Sequence, residues 1–204
     1  MIKAENSHQN IVFDDQLLAR KCSAGDNTAM GLLITKYQDQ VYNTILKICQ
    51  NQNDALELTQ DTFVKVIENI GSFKGSSRLF TWIYRIAVNL TLNYCKRKMH
   101  ISAESLDDDQ SGGLSGRKAL KEYLADKTAS DPAMRVENAE LAELASQALR
   151  SLNDEQRTVI ILRDIDGLGY SEIAEILELE IGTVKSRISR AREALRTIFE
   201  AMAE

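Results

Sequence analysis

Apolar residues recur at intervals of three and four along most of this chain, the spacing that lines one face of a helix at about 100° per residue. Asp15–Cys22 reads as a short helix broken at Ala24-Gly25-Asp26. Thr28–Gln50 carries Leu32, Leu33, Tyr37, Val41, Ile45, Leu46 and Ile48 and predicts a long helix, ended by Asn51–Asn53. Asp54–Ile70 resumes the period with Leu58, Phe63, Val66, Ile67 and Ile70. A Gly/Ser loop, Gly71–Ser77, separates it from a fourth helix expected over Leu79–Lys98, with Ile83, Ile86, Ala87 and Leu90 as its core stripe. The period then fades. Asp107-Asp108-Asp109, Ser111-Gly112-Gly113 and Ser115-Gly116 mark an acidic, flexible connector, with at most a turn of helix at Leu120–Leu124. Helical spacing returns after Pro132 over Met134–Leu149 and over Asp154–Arg163, the latter capped by Asn153 or Asp154. Strand-like alternation is scarce and Pro132 is the sole proline. The fold expected is all-α: two small helical domains joined by a flexible acidic linker.

The last segment, Gly167–Arg196, sharpens this picture. Ser171, a plausible N-cap, opens a short helix to Leu177 with Ile173, Ala174 and Leu177 on one stripe. After a tight turn, a second helix places Val184, Ile188, Ala191 and Leu195 on one side. Lys185, Ser186, Ser189, Arg190 and Arg196 fall on the other. That is a helix-turn-helix whose second helix offers cations and hydroxyls to a major groove. A surface helix with a solvated cationic face would show the same sorting, but not the short helix and turn before it.

Charge changes the picture further. The 204 residues carry a formal net charge of −5, unusual for a protein that binds nucleic acid. The average conceals a segregation: residues 72–100 hold Lys74, Arg78, Arg85, Lys96, Arg97 and Lys98 and no acid. Positive charge is concentrated there and in Lys185–Arg196, and the acidic remainder suppresses indiscriminate binding. Within the first basic window Arg85, Asn89, Asn93 and Lys96/Arg97 recur every three or four residues, beside Phe73, Phe80, Trp82 and Tyr84. Rings, amides and cations together suit unstacked bases: stacking, edge reading and phosphate binding. Phe80 and Trp82 fit core packing equally well, and Lys96–Lys98 could simply complement a helix dipole. Asp54, Glu57 and Asp61, with Gln60 beside them, make the opposite face on the third helix, either solvated or meeting a basic protein partner.

Other chemistry has little material. Cys22, Cys49 and Cys95 are widely spaced and odd in number, which implies neither a disulfide framework nor a zinc site and fits a reducing cytoplasm. Only His8 and His100 are present. No catalytic constellation, metal site or cofactor is expected. The N-terminal MIKAENSHQN lacks the apolar core of a signal peptide, and no apolar run approaches the roughly 20 residues of a membrane helix.

These residues resemble the extracytoplasmic-function group of bacterial sigma factors. DALELTQDTF is similar to the group's polymerase-clamp helix, SFKGSSRLFTWIYRIAVNLTLNYCKRK to its −10 segment, and LRDIDGLGYSEIAEIL with IGTVKSRISRAREAL to its −35 domain. The similarity covers roughly residues 14–100 and 139–199. It implies a non-enzymatic factor that binds core RNA polymerase and directs it to promoters. By that resemblance 14–100 is region 2, 101–131 the linker and 132–204 region 4. Asp54, Glu57, Leu58, Gln60, Asp61 and Phe63 would hold the clamp. Asn89, with the loop around Lys74–Arg78, would capture a flipped −10 base near Trp82, Tyr84 and Arg85, while Lys96, Arg97 and Lys98 track phosphates. Lys185, Ser186, Arg187, Ser189 and Arg190 would enter the −35 major groove. The resemblance also implies a cytoplasmic protein with promoter DNA, core polymerase and an anti-sigma factor as partners, and no membrane insertion. The sequence departs from the group at Leu56, where an acid is usual, at Gly169 in a cap position, and at Glu178 and Glu180, turn positions where Gly and Pro are common. A non-glycine residue at a left-handed turn costs on the order of 1 kcal/mol, so another turn geometry is expected here.

Two other readings compete. A free-standing helix-turn-helix regulator with a partner- or ligand-sensing N-terminal domain needs a dimer seam and a pocket signature that the chain lacks. A helical enzyme acting on nucleic acid needs a scaffold for its carboxylates, and Asp107–Asp109 sit in a connector.

Overall fold

A computed structural model of the chain describes residues 15–104 and 143–203, and every regular element among them is helical. The first group comprises α1 (Asp15–Ser23), α2 (Asn27–Cys49), α3 (Gln52–Asn69) with a short 3₁₀ turn at Ile70–Ser72, and α4 (Leu79–Glu104). The second comprises α5 (143–151), α6 (Asp154–Ile160) running into a π-helical turn at Ile161–Ile165, α7 (Tyr170–Leu177) and α8 (Ile181–Ala203). The connector from Ser105 to Asp131, the Leu120–Leu124 turn and the start of the Met134–Leu149 helix lie outside the described residues.

Local chemistry sets the boundaries. Asp26 caps α2, its Oδ1 accepting from the N–H groups of Thr28 and Ala29 at 2.9 and 3.1 Å. Asn51 caps α3 in the same way, accepting from Asn53 and Asp54. The helix therefore begins two residues before the expected Asp54, and the polar run Asn51–Asn53 is a cap rather than a loop. Asn153 takes this role for α6, accepting from the N–H of Gln156 at 2.9 Å. For α7 the expected cap, Ser171, is not used. Gly169 occupies the cap position, and its N–H donates to the Glu172 carboxylate at 2.9 Å, half of a capping box. The largest difference is at α4, which continues past Lys98 to Glu104. Lys96–Lys98 thus lie inside a helix, more than a turn from its end, and do not serve as dipole-complementing terminal charges.

Packing follows the predicted stripes on α2, α3 and α8, but on α4 Ile86 and Leu90 are only half-buried and Leu79 and Val88 join Ile83 and Ala87 in the core. Leu33, Tyr37, Val41, Ile45 and Ile48 of α2 meet Ala55, Leu58, Phe63 and Val66 of α3 and Leu79, Ile83, Ala87 and Val88 of α4. Leu32, assigned to the same stripe, is exposed. In the second group Leu149, Leu152, Val159–Leu162, Ile173 and Ile176 bury Val184, Ile188 and Ala191 of α8. Each large aliphatic side chain so buried is worth about 2 kcal/mol. The buried apolar residues of both groups form one continuous cluster. The two groups therefore share a core across the junction where α2 and α4 meet α6 and α7.

Candidate nucleic-acid interface

The turn between α7 and α8 decides how α8 is presented. Glu178 closes α7 in the left-handed region, φ 54° and ψ 45°, so the turn keeps the left-handed geometry that a non-glycine residue was expected to displace. The Leu179 N–H returns to the Ala174 carbonyl at 2.9 Å, and Val184 N–H reaches Glu180 at 3.0 Å to start α8. With Val184, Ile188 and Ala191 buried, Lys185, Ser189 and Arg190 project outward. Tyr170 lies beside Lys185: its ring carries the Arg163 guanidinium 4.6 Å from the centroid and the Lys185 ammonium at 5.8 Å. Arg163 is itself fixed by donating to the Leu168 carbonyl at 2.7 Å. Two of the expected base readers point elsewhere. Ser186 donates its hydroxyl to the Thr183 carbonyl at 2.9 Å, and Arg187 pairs with Glu155 of α6 at 3.0 Å.

In the first basic window the aromatics divide. Trp82 and Tyr84, expected near an unstacked base, are buried, 6 and 3 % exposed. Trp82 packs against Phe73 at 5.6 Å, and Tyr84 against Phe80 at 4.1 Å. The Tyr84 hydroxyl donates to the Gln40 carbonyl and lies 3.0 Å from the Thr44 hydroxyl. Burial wins on two different sides of α4. Tyr84 reaches α2 through Gln40 and Thr44, while Trp82, about 200° around the helix, packs on Phe73 of the preceding loop. Both rings therefore hold the helix and present no face to a base. Phe80 is half-buried. Asn89 is half-buried, and Asn93, Lys96, Arg97 and Lys98 are exposed. Lys74 lines a cleft of about 250 Å³ with Gln16, Arg20, Phe73 and Gly75, between α1 and the loop. Gly75 has φ +73°, a conformation that glycine adopts without strain. Asn89 lines a different cleft, so Lys74 and Asn89 are not brought to one cavity.

The acidic face of α3 is real but narrower than expected. Glu57, Gln60 and Asp61 are exposed, whereas Leu58 and Phe63 are buried in the core at 5 and 6 % exposure and cannot contact a partner from there. Leu56 and Val64 are half-exposed on the same helix. Val64, three positions from Asp61 and off the core stripe, adds an exposed apolar side chain that sequence reasoning did not single out. Asp54 is taken by Lys98 across to α4, Nζ to Oδ2 at 2.8 Å, and this hydrogen bond raises the Lys98 pKa.

A polar junction that sequence reasoning did not find joins the two helix groups. Lys47, in the middle of the apolar run ILKIC, is only 2 % exposed and donates to Asp166 Oδ1 at 2.8 Å. Thr44 Oγ1 donates to the other carboxylate oxygen at 2.7 Å. Arg157, 7 % exposed, donates to the carbonyls of Leu149, Arg150 and Leu152, to Asp154, and across the junction to the Ile48 carbonyl at 3.0 Å. The π turn delivers Asp166: its N–H bonds five residues back to Ile161 at 2.8 Å, widening the helix by one residue. A cation inside an apolar helical run is the one sequence signal for this site.

No group of three or more His, Cys, Asp or Glu side chains among the described residues could hold a metal ion, and no described helix is long and apolar enough to cross a membrane. Burial pushes the Cys49 thiol up to about 11 and the Cys95 thiol up to about 12.

Comparison with known proteins places this geometry. The family described as sigma-70 region 2 matches residues 33–101, and that described as sigma-70, region 4 matches residues 142–195. The ECF RNA polymerase sigma-E factors of Salmonella typhimurium and Escherichia coli are each 35% identical over 187 residues, covering 89% of this chain and 92% of the relative. The RNA polymerase sigma-H factor of Pseudomonas aeruginosa is 31% identical over 182 residues, covering 89% and 91%. Among solved structures, CnrH in complex with the cytosolic domain of CnrY shares the fold at TM-score 0.62 and 23% identity, over 92% of this chain and 97% of that one. The sigma factor RpoE in complex with the anti-sigma factor NepR from Bartonella quintana does so at TM-score 0.61 and 23% identity, over 83% and 96%. The chain belongs to the extracytoplasmic-function group of the sigma-70 family, the factors that bind core RNA polymerase and direct it to promoters through the −10 and −35 elements.

Proposed function

We propose a division of that activity among three surfaces. Residues 14–100 act as region 2, 101–131 as a linker and 132–204 as region 4. The exposed Glu57, Gln60 and Asp61 of α3, with Leu56 and Val64 beside them, meet the polymerase clamp. Leu58, Phe63, Trp82 and Tyr84 support these surfaces from the core. Asn89, Asn93, Lys96 and Arg97 of α4 follow the −10 strand, with Arg78 and Arg85 at the start of the helix, and Lys74 guards the cleft against α1. Lys185, Ser189 and Arg190 read the −35 major groove, while Ser186 and Arg187 shape the helix surface around them.

The observation that carries this reading is α8: its apolar side is buried and its cationic side projects from a helix-turn-helix. An anti-sigma factor is the expected regulator, and the cytoplasm the expected location. The direct test is transcription in vitro with bacterial core polymerase on a genomic promoter library. Starts that share linked −10 and −35 motifs, absent with core alone, are expected. Unchanged promoter choice in both Lys185→Ala and Arg190→Ala would refute the −35 assignment.

A further inference from the structure

The surface assigned to the −10 strand is not free in this structure; α7 and its neighbours lie on it. The cleft that contains Asn89, Asn93 and Lys96 is closed on its far side by Glu155 of α6, by Leu177 and Leu179, and by Arg187 of α8. At the start of α4 two cations meet acids of α7 or of the turn that follows it: Arg78 pairs with Glu172 at 3.2 Å and Arg85 with Glu178 at 4.0 Å. These carboxylates stand where phosphates would stand. Surface pairs of this kind contribute little by themselves. The buried junction is different, because Lys47 and Asp166 are 2 and 9 % exposed and Thr44 completes the carboxylate's hydrogen bonding. Removing one member of such a pair leaves a charge in the interior, which is strongly destabilising to whatever holds it there. Here that is the contact between the two helix groups.

We propose that Asp166, set by the π turn and received by Lys47 and Thr44, is an intramolecular latch that closes region 4 over the −10 surface of region 2. In the closed state the factor cannot admit a single strand along α4, so the free chain is held off DNA by its own second domain. Binding to polymerase must separate the domains and break the Lys47–Asp166 pair. The proposal rests on the assignment of α4 to the −10 strand only in its second half; the closure itself is independent of that assignment.

The test uses the full chain with Asp166→Asn and, from the other side of the junction, Lys47→Met, neither of which touches a proposed DNA or clamp contact. Circular dichroism monitors folding, small-angle X-ray scattering the separation of the domains, and fluorescence anisotropy the affinity for a short labelled single strand of random sequence at low salt. The wild-type chain is expected to scatter as the closed molecule. Both variants should keep their helicity, expand, and bind the strand about tenfold more tightly or better. A wild-type chain that is already extended overturns the latch, whatever the variants do. Variants that stay as compact as wild type also overturn it. Expansion without a gain in strand affinity retains the closure but refutes the occlusion, and with it the −10 assignment of α4. The double variant Lys47→Met/Asp166→Leu, which replaces both charges by apolar groups, should be compact again; if it is as extended as the single variants, the pair is not what holds the domains.

Discussion

Glu178 is a side chain in a conformation that glycine adopts freely. At φ 54° it carries the left-handed turn between α7 and α8, and its carboxylate reaches only as far as Arg85. Glu178→Gly should therefore raise the stability of the folded chain by up to about 1 kcal/mol, read as a higher midpoint in urea unfolding. No change, or a loss, would mean that the side chain contributes at least as much as the strain costs. The thiols carry a second residue-scale prediction. Their pKa values, raised by burial to about 11 for Cys49 and about 12 for Cys95, leave almost no thiolate near neutrality. Both should react with Ellman's reagent far more slowly at pH 8 in the native chain than in urea. Reaction in the native chain should accelerate as pH rises toward those values, and prompt native reaction at pH 8 would show that the sites open. Which side chains lie inside was partly readable at this scale. Val184, Ile188 and Ala191 follow from helical spacing, but Trp82 and Tyr84 do not, because a ring beside amides and cations looks the same whether it stacks on a base or on Phe73 and Phe80.

The helices themselves were legible wherever period and cap coincided. Asn153, one of the two residues expected to cap its helix, does so, whereas Asp26 and Asn51, read only as breaks, turn out to cap α2 and α3, and Ser171 is passed over for Gly169. Two features were not legible for a stated reason. The extension of α4 to Glu104 runs through residues with no apolar stripe to continue it, so periodicity is silent. The π turn inserts one residue into an otherwise regular spacing, which a fixed 3.6 period absorbs without a mark. Arg157 shows what an element can rest on: one guanidinium ties the end of α5 to α6 and to the last turn of α2. Arg157→Met should destabilise the chain by about 3 kcal/mol, since several carbonyls and Asp154 lose their donor together. Chemical unfolding measures it. On α3, Asp61→Arg should weaken core polymerase binding in a pull-down or anisotropy assay while leaving the melting temperature within a degree or two, because the side chain is exposed. A fall in both would move Asp61 from the interface to the scaffold.

For the whole molecule, the order of its parts was readable from motif and charge, and their mutual placement was not. Residues 72–100 and Lys185–Arg196 each announce a nucleic-acid surface, yet nothing in either string says that one lies against the other's domain. That information sits in Lys47 and Asp166, separated by 119 residues and recognisable only as a cation in an apolar run and an acid before a glycine. Because the buried cluster is continuous across the junction, the free chain should unfold in one calorimetric transition. Asp166→Asn should split that transition in two, and a wild-type endotherm with two resolved peaks would contradict the shared core. The π turn gives this arrangement a property of chain length. Deleting one residue between Ile161 and Ile165 would let the segment relax to an ordinary α-helix and swing Asp166 by about 100° around its axis. The helix-turn-helix beyond it would remain intact while the carboxylate left its seat beside Lys47. If the proposed latch holds, a single deletion in that turn of this chain, with no substitution at any proposed DNA or clamp contact, should convert a factor that rests shut into one that rests open.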